Sequence, residues 1–205
     1  MKEITNIVIS GVGGQGVLMV SELIGNAAMY MGLDVRVTET HGLSQRGGSL
    51  LSYVRIGKVV HSPLVELGGA DYIISMELLE AMRTVPYSSK RTIHIVNLRR
   101  IPPATVMVGK ATYPSFEQIR STITKETNKA FFVDAYGLAR KAGGAIFQNV
   151  VMMGFFSKAS EPLIERPFYE EAIRHLFKGK HIDSNIEAFR MGYEAGREML
   201  SHITP

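Results

Sequence analysis

The 205-residue chain contains no cysteine, and that absence excludes whole classes of chemistry. Without thiolates it cannot hold an iron–sulfur cluster through cysteine, close a disulfide or present a thiol nucleophile. Six histidines, His41, His61, His94, His175, His181 and His202, are scattered without metal-ligand spacing. Core or surface roles are expected for all six, and no metal site. Neither a P-loop nor a G-x-S-x-G elbow occurs. The most apolar stretch, Ala145 to Phe156, is interrupted by Gln148-Asn149 and is too short to span a bilayer. Met1-Lys2-Glu3 leads into a strand with no signal-peptide pattern, so no membrane partner and a cytoplasmic location are expected.

The net charge is a mild +4. Part of it sits in Arg83, Lys90, Arg91, Arg99 and Arg100, with no interleaved aromatic platform and no nucleic-acid motif. Nucleic acid is therefore not an expected partner. A solvated face accounts for these cations, and so does an acidic partner or a phosphate-bearing ligand. A hydrophobic content of 45% and a charged content of 20% are ordinary for a globular protein. With no internal repeat and no low-complexity linker, one domain over residues 1–205 is expected.

What the chain does have is concentrated near its start. The β-branched run Ile7-Val8-Ile9-Ser10 stops at Gly11-Val12-Gly13-Gly14-Gln15-Gly16, and Val17, Val20, Ile24, Ala27 and Met31 then recur at helical spacing. Gly11, Gly13 and Gly16 fit G-x-G-x-x-G, and the order strand, glycines, helix presents backbone N–H groups to an anion. The same glycines also suit a helix that must simply pack close to its strand. Asp34-Val35-Arg36-Val37-Thr38 reads as the second strand. Glu39 follows at the spacing where a dinucleotide-binding protein places its ribose-binding acid. The polar loop Thr40-His41-Gly42-Leu43-Ser44-Gln45-Arg46-Gly47-Gly48-Ser49 comes next. Its Arg46 fork, flanked by small residues, suits a phosphate or carboxylate, or else an ion pair with Glu39.

The remainder alternates strands and helices. Leu50 to Val60 reads as a hairpin turning at Gly57-Lys58, and Tyr72-Ile73-Ile74-Ser75 as a buried strand. Glu77 to Arg83 is helical, Thr92 to Asn97 a strand, and Ser115 a cap for a helix with Phe116, Ile119 and Ile123 inward. Phe131 to Asp134 is a late strand and Ala135 to Lys141 a helix. Ala145 to Ala159 reads as a buried helix whose Gln148 and Asn149 need partners. Glu170 to Lys178 and Asn185 to Leu200 close the chain as amphipathic helices. The expected fold class is α/β: a single Rossmann-like three-layer domain with an open, mainly parallel sheet and a helical C-terminal region.

Gly11 to Gly16, Glu39 to Gly48, and Arg55-Ile56-Gly57 with Ser62-Pro63-Leu64 resemble the gamma domain of 2-oxoacid:ferredoxin oxidoreductases. Gly69-Ala70-Asp71, Glu77 with Glu80-Ala81 and Arg83, Gly109-Lys110 before Tyr113-Pro114, and Asn149 with Met152-Met153-Gly154 fit the same pattern. The small (beta) subunits of the indolepyruvate type are nearest in pattern, and the match is weakest after about Glu161.

The resemblance implies a subunit that is inactive alone. The complexes it points to decarboxylate a 2-oxoacid on thiamine diphosphate, pass electrons through iron–sulfur clusters to ferredoxin, and release an acyl-CoA. This chain has no Gly-Asp-Gly start of a thiamine motif and no cysteine. Thiamine diphosphate and the clusters would then sit on a larger partner subunit, with ferredoxin reached through the complex. This chain would bind no cofactor by itself and would help complete the coenzyme A site. A homodimer remains open for the isolated chain. The site positions carried over are Gly11, Gly13, Gly14, Gln15, Gly16, Glu39, Ser44, Gln45, Arg46, Gly47 and Gly48, with no catalytic residue among them. A nicotinamide-dependent dehydrogenase and a ligand-free scaffold are the competing readings, and the 2-oxoacid itself stays open.

Overall fold

Strand β1 (Ile4–Val12) has apolar side chains on both faces and is buried on both, which is the signature of a central strand covered twice. The computed structural model describes residues 3–40, 48–179 and 181–201. In it β1 lies within a six-stranded sheet built with β2 (Asp34–Thr40), β3 (Ser49–Gly57), β4 (Tyr72–Ser75), β5 (Ile93–Asn97) and β6 (Lys129–Val133). The spatial order is β2-β3-β1-β4-β5-β6. β1, β4, β5 and β6 run parallel, whereas β3 is antiparallel to β1 on one side and to β2 on the other.

The helices α1 (Val17–Tyr30), α2 (Leu78–Arg83), α3 (Ala104–Met107), α4 (Phe116–Glu126), α5 (Ala135–Lys141), α6 (Gln148–Ala159), α7 (Arg166–Leu176) and α8 (His181–Ser201) make two outer layers. Ile7, Ile9, Val54, Ile74, Ile95 and Phe131 face α1 and α5–α8 in the main core. On the other side Val96 packs with α2 and α4 around Ile119 and Ile123, while Val8, Tyr53 and Ile73 lie under Val65 and Ala70. The three-layer α/β domain with a helical C-terminal region is thus the observed architecture.

Local signals explain most of the elements. Ser115 caps α4 through a capping box with Gln118, satisfying two orphan backbone donors reciprocally. Asp134 ends β6 and caps α5 by accepting from the Gly137 N–H at 2.9 Å. Gly32, at φ 82°, closes α1 in the left-handed region where glycine is the default.

Four expectations need correction. There is no hairpin at Gly57-Lys58: β3 already has a strand on each edge, so no edge remains for Lys58–Val60 to pair with. Gly57 is small there because a Cβ would lie 2.5 Å from the Glu3 carbonyl oxygen. The stretch 145–159 is a single 3-10 turn (Ala145–Phe147) followed by α6, and Ile146 is 80% exposed. α7 begins four residues before Glu170, at Arg166 with Pro167 in its first turn, where a missing N–H is harmless. Phe116 is half-exposed, stacking edge-on against Phe132 while Ile119 and Ile123 are buried.

Candidate functional site

The glycine turn is held by side-chain hydrogen bonds that its sequence does not advertise. Gln15 is buried, its Oε1 accepts from the Val12 N–H at 2.8 Å, and its Nε2 donates to the Met76 carbonyl at 2.8 Å. It therefore ties the end of β1 to the end of β4, the point where successive crossovers leave the sheet in opposite directions. That is the crevice where open α/β sheets bind ligands. Gln15→Ala should lower stability by about 1–3 kcal/mol, because the Val12 N–H is left buried and unpaired. The urea midpoint measures it, and a change under about 0.5 kcal/mol would mean the turn is not braced by this side chain.

Two of the glycines are dictated by sterics. At Gly11 a Cβ would lie 2.8 Å from Val17 Cγ2 and 3.0 Å from Met76 Cβ. Gly16, the N-cap of α1, has φ 78°, and a Cβ there would sit 2.4 Å from Asn149 Nδ2. The Gly13 N–H donates to the Gly48 carbonyl at 2.9 Å, so the turn is joined to the residue that precedes β3.

Gly14, Gln15 and Gly16 open on a cleft of about 1060 Å³, at the upper end of the range for ligand pockets. Three helices begin on it: α1 at Gly16, α6 at Gln148 and α8 at His181. The positive ends of their dipoles favour an anion, although the Gln148 N–H donates to the Ala145 carbonyl and the Ile182 N–H to the Gly179 carbonyl. Met19, Phe147, Leu176 and Phe177 form apolar wall, and Lys178 and His181 add basic side chains. Asn149 and Asn185, 5% and 2% exposed, also line it. Asn149 Nδ2 points to Met19 Sδ at 3.3 Å and Asn185 Nδ2 donates to the His181 carbonyl at 2.7 Å. Among the described residues neither Oδ1 accepts a hydrogen bond. The cleft thus combines donors for an anion with two acceptor oxygens. Gln148 also lines the cleft and is held by Asn97, whose Nδ2 donates to Gln148 Oε1 at 3.0 Å and to the Met76 carbonyl at 3.2 Å.

Glu39 does not join this cleft. It lies in β2 and lines a separate groove between α1 and β2, with Leu18, Glu22, Val35 and Val37. The inserted strand β3 puts β2 two strand spacings from β1, roughly 10 Å instead of 5 Å. The dinucleotide arrangement, in which the acid-bearing strand adjoins the glycine turn, is therefore not formed. Ser44, Gln45, Arg46 and Gly47 lie outside the described residues; Gly48 is described and meets the turn through Gly13.

Beside the turn, two buried carboxylates hold the carboxyl ends of β4 and β5. Glu77 caps α2 by accepting from the Glu80 N–H at 3.0 Å, and its other oxygen accepts from the Ile101 N–H at 2.9 Å and from the Tyr113 hydroxyl. Glu80 accepts from the Ser49 hydroxyl and pairs with Arg83 at 2.6 Å. Burial raises the Glu80 carboxyl above its ordinary pKa, with Ser49 and Arg83 opposing the shift. Both acids face structural partners: Glu77 ties α2 to the segment that follows β5, and Glu80 ties α2 to Ser49, the first residue of β3. Asn149 was legible as a buried polar residue, whereas Asn97 and Asn185 carried no sequence signal. Among the described residues no cluster of His, Asp and Glu has the makings of a metal site, and no helix is long and apolar enough to cross a membrane.

Comparison with known proteins agrees with the fold. The family model described as pyruvate ferredoxin/flavodoxin oxidoreductase matches residues 6–195. The indolepyruvate oxidoreductase subunit IorB of Pyrococcus horikoshii is 44% identical over 98% of this chain and all of its own length. That of Archaeoglobus fulgidus is 45% identical over 92% of this chain and 93% of its own. Among solved structures, the pyruvate oxidoreductase subunit PORC of Thermotoga maritima superposes with a TM-score of 0.72 at 23% identity, covering 94% of this chain and 97% of that one. The 2-oxoglutarate:ferredoxin oxidoreductase of Magnetococcus marinus, solved with 2-oxoglutarate, coenzyme A and succinyl-CoA bound, gives 0.74 at 19% identity, covering 97% of this chain and 32% of that one. These two likenesses speak for the fold, and the family follows from the sequence matches: the chain belongs to the pyruvate ferredoxin/flavodoxin oxidoreductase family and stands with its indolepyruvate-type subunits.

Proposed function

We propose that this chain completes the coenzyme A site of an indolepyruvate-type 2-oxoacid:ferredoxin oxidoreductase whose redox and thiamine chemistry lies on a larger subunit. The observation that carries the reading is the cleft beside the glycine turn, where three helix N-termini meet the side chains of the buried residues Asn149 and Asn185. Coenzyme A carries phosphates for the helix N-termini and amide and adenine N–H groups for Asn149 and Asn185. The wall of Met19, Phe147, Leu176 and Phe177 would take its apolar parts. The chain offers no donor set for the other groups: it has no cysteine for a cluster and no candidate metal cluster among the described residues for a thiamine diphosphate cation. Its own residues therefore bind and orient the acyl acceptor, and the bond making and breaking at the 2-oxoacid belongs to the partner.

The test uses the enzyme reconstituted with its larger subunit. The lone chain should show no 2-oxoacid-dependent viologen reduction. In the complex, Asn149→Leu keeps the approximate size but removes the acceptor oxygen, and should raise the KM for coenzyme A by about 10–100-fold, equivalent to roughly 1.5–3 kcal/mol. The KM for the 2-oxoacid should not move. Turnover by the lone chain, or an unchanged coenzyme A KM in the variant, would refute the assignment.

A further inference from the structure

The segment that leaves β5 carries cations that nothing else in the described protein neutralises. Between Leu98 and Ala111 stand Arg99, Arg100 and Lys110, with no Asp or Glu. Arg36, Arg83, Arg120, Arg166, Arg190 and Arg197 each have a carboxylate within 4.0 Å. Arg99 and Arg100 have none among the described residues, as is also true of Arg55, Arg91, Arg140 and Arg174, but these two are adjacent in sequence. Both are exposed, and both are held by aromatic faces: the Arg99 guanidinium lies 4.9 Å from the Tyr136 ring centroid and that of Arg100 lies 4.6 Å from Tyr113. Stacking of this kind fixes a cation without neutralising it.

The backbone beneath is equally fixed. The Leu98 N–H donates to the Val133 carbonyl, the Leu78 N–H to the Arg99 carbonyl, and the Ile101 N–H to Glu77 Oε1. With its main chain bound to β6 and α2, the segment turns its side chains outward. Apolar groups stand among the cations: Leu98 is 37% exposed, Met107 77% and Val108 66%. Pre-positioned arginines around exposed methionine and aliphatic side chains have the make-up of an interface core with its charged rim.

We propose that the strip from Leu98 to Lys110 is where this chain docks on the larger oxidoreductase subunit, against a surface bearing carboxylates around an apolar centre. The partner's chemistry follows from complementarity, since three unneutralised cations would oppose any basic surface and are satisfied by an acidic one. The strip lies at the carboxyl ends of the strands, the same end of the sheet as the glycine turn. Docking there sets the coenzyme A cleft against the subunit that holds the thiamine chemistry. The proposal rests on the reading of this chain as a subunit of that complex.

The experiment measures the affinity of the full chain for the purified larger subunit across a range of salt concentrations. Wild type should bind less tightly as salt rises. Arg99→Glu with Arg100→Glu should weaken binding by about a hundredfold and flatten the salt dependence. Arg91→Glu with Arg174→Glu, an equal charge change at exposed positions away from the strip, should shift it less than about threefold. Melting temperatures check folding. If the double reversal lowers its own, Met107→Asp and Arg99→Gln carry the test, each expected to weaken binding about tenfold. Unchanged affinity in these variants overturns the docking face while leaving the subunit reading intact. Salt-sensitive self-association through the same arginines, without binding to the larger subunit, overturns it as well. No binding by wild type at all overturns both readings.

Discussion

Gly192→Ala should lower the stability of this domain by roughly 3 kcal/mol or more, a large share of the 5–15 kcal/mol that holds such a fold together. Helices α6 and α8 cross so closely that a Cβ on Gly192 would stand 1.9 Å from the Val151 carbonyl oxygen. Gly154 on the facing helix is in the same position, 2.0 Å from the Phe189 carbonyl oxygen. These obstacles are backbone, so no rotamer change relieves them and one helix must move away from the other. Both helices are core elements: Val150 to Phe156 are wholly or nearly wholly buried, as are Ala188 and Phe189. Separation would loosen contacts along the whole crossing, because interiors are packed at crystal-like density. Gly196 provides the internal control. A Cβ there lies 3.1 Å from Lys158 Cβ and 3.3 Å from the Phe155 carbonyl oxygen, so the neighbours need give only a few tenths of an ångström, and Gly196→Ala adds helix propensity of up to about 1 kcal/mol. Its net effect should therefore be small. For a chain of this size the Gly192 substitution corresponds to a fall of roughly 6–12 °C in melting temperature. Equal melting temperatures for the Gly192 and Gly196 variants would show that the crossing can widen freely.

The glycines of the first turn were legible in the sequence for a reason that those of α8 were not. Gly11, Gly13 and Gly16 interrupt a strand-to-helix junction, where spacing alone indicates a tight turn and a close approach. Gly192 and Gly196 sit within an amphipathic pattern, and only the partner helix, some forty residues away in sequence, gives them meaning. The insertion of β3 between β1 and β2 was illegible on similar grounds. Its residues read as a strand, but periodicity reports which face is buried and says nothing about which neighbour a strand chooses. That one pairing decides between a dinucleotide site and none, since it separates Glu39 from the glycine turn. Gln15 shows the converse limit. Its place in the motif marked it for a ligand, while in the fold both ends of its amide bind backbone. Asn185 had no visible signal because a polar residue on an amphipathic helix is ordinarily taken for solvent-facing. It is 2% exposed because α8 starts at His181 and enters the core within its first turn.

Acidification should destabilise the domain through one histidine in the middle of the sheet. His94, in β5 between Ile73 of β4 and Ala130 of β6, is fully buried. Its Nε2 shares a 2.7 Å hydrogen bond with the Ser88 hydroxyl, and Nδ1 has no hydrogen-bond partner among the described residues. Burial penalises the imidazolium and lowers the pKa from 6.5 to about 4. The unfolded chain binds this proton near pH 6.5 and the folded chain only near pH 4. Stability therefore falls as pH drops through that window and levels off below it, by up to about 3 kcal/mol for a shift of this size. Asp34 and Glu161, whose carboxyls are held below their ordinary pKa values, lose stability only at lower pH, as they begin to protonate. Glu80 acts in the opposite sense, because a raised carboxyl takes up its proton in the folded state first. Urea midpoints at pH 7.5 and pH 5 separate these contributions. Wild type should lose about 1.5–2.5 kcal/mol between the two, and His94→Gln, which has no titrating ring, should lose under about 0.5 kcal/mol. If the variant loses as much as wild type, the acid sensitivity resides in the carboxylates and His94 is not the group that senses it.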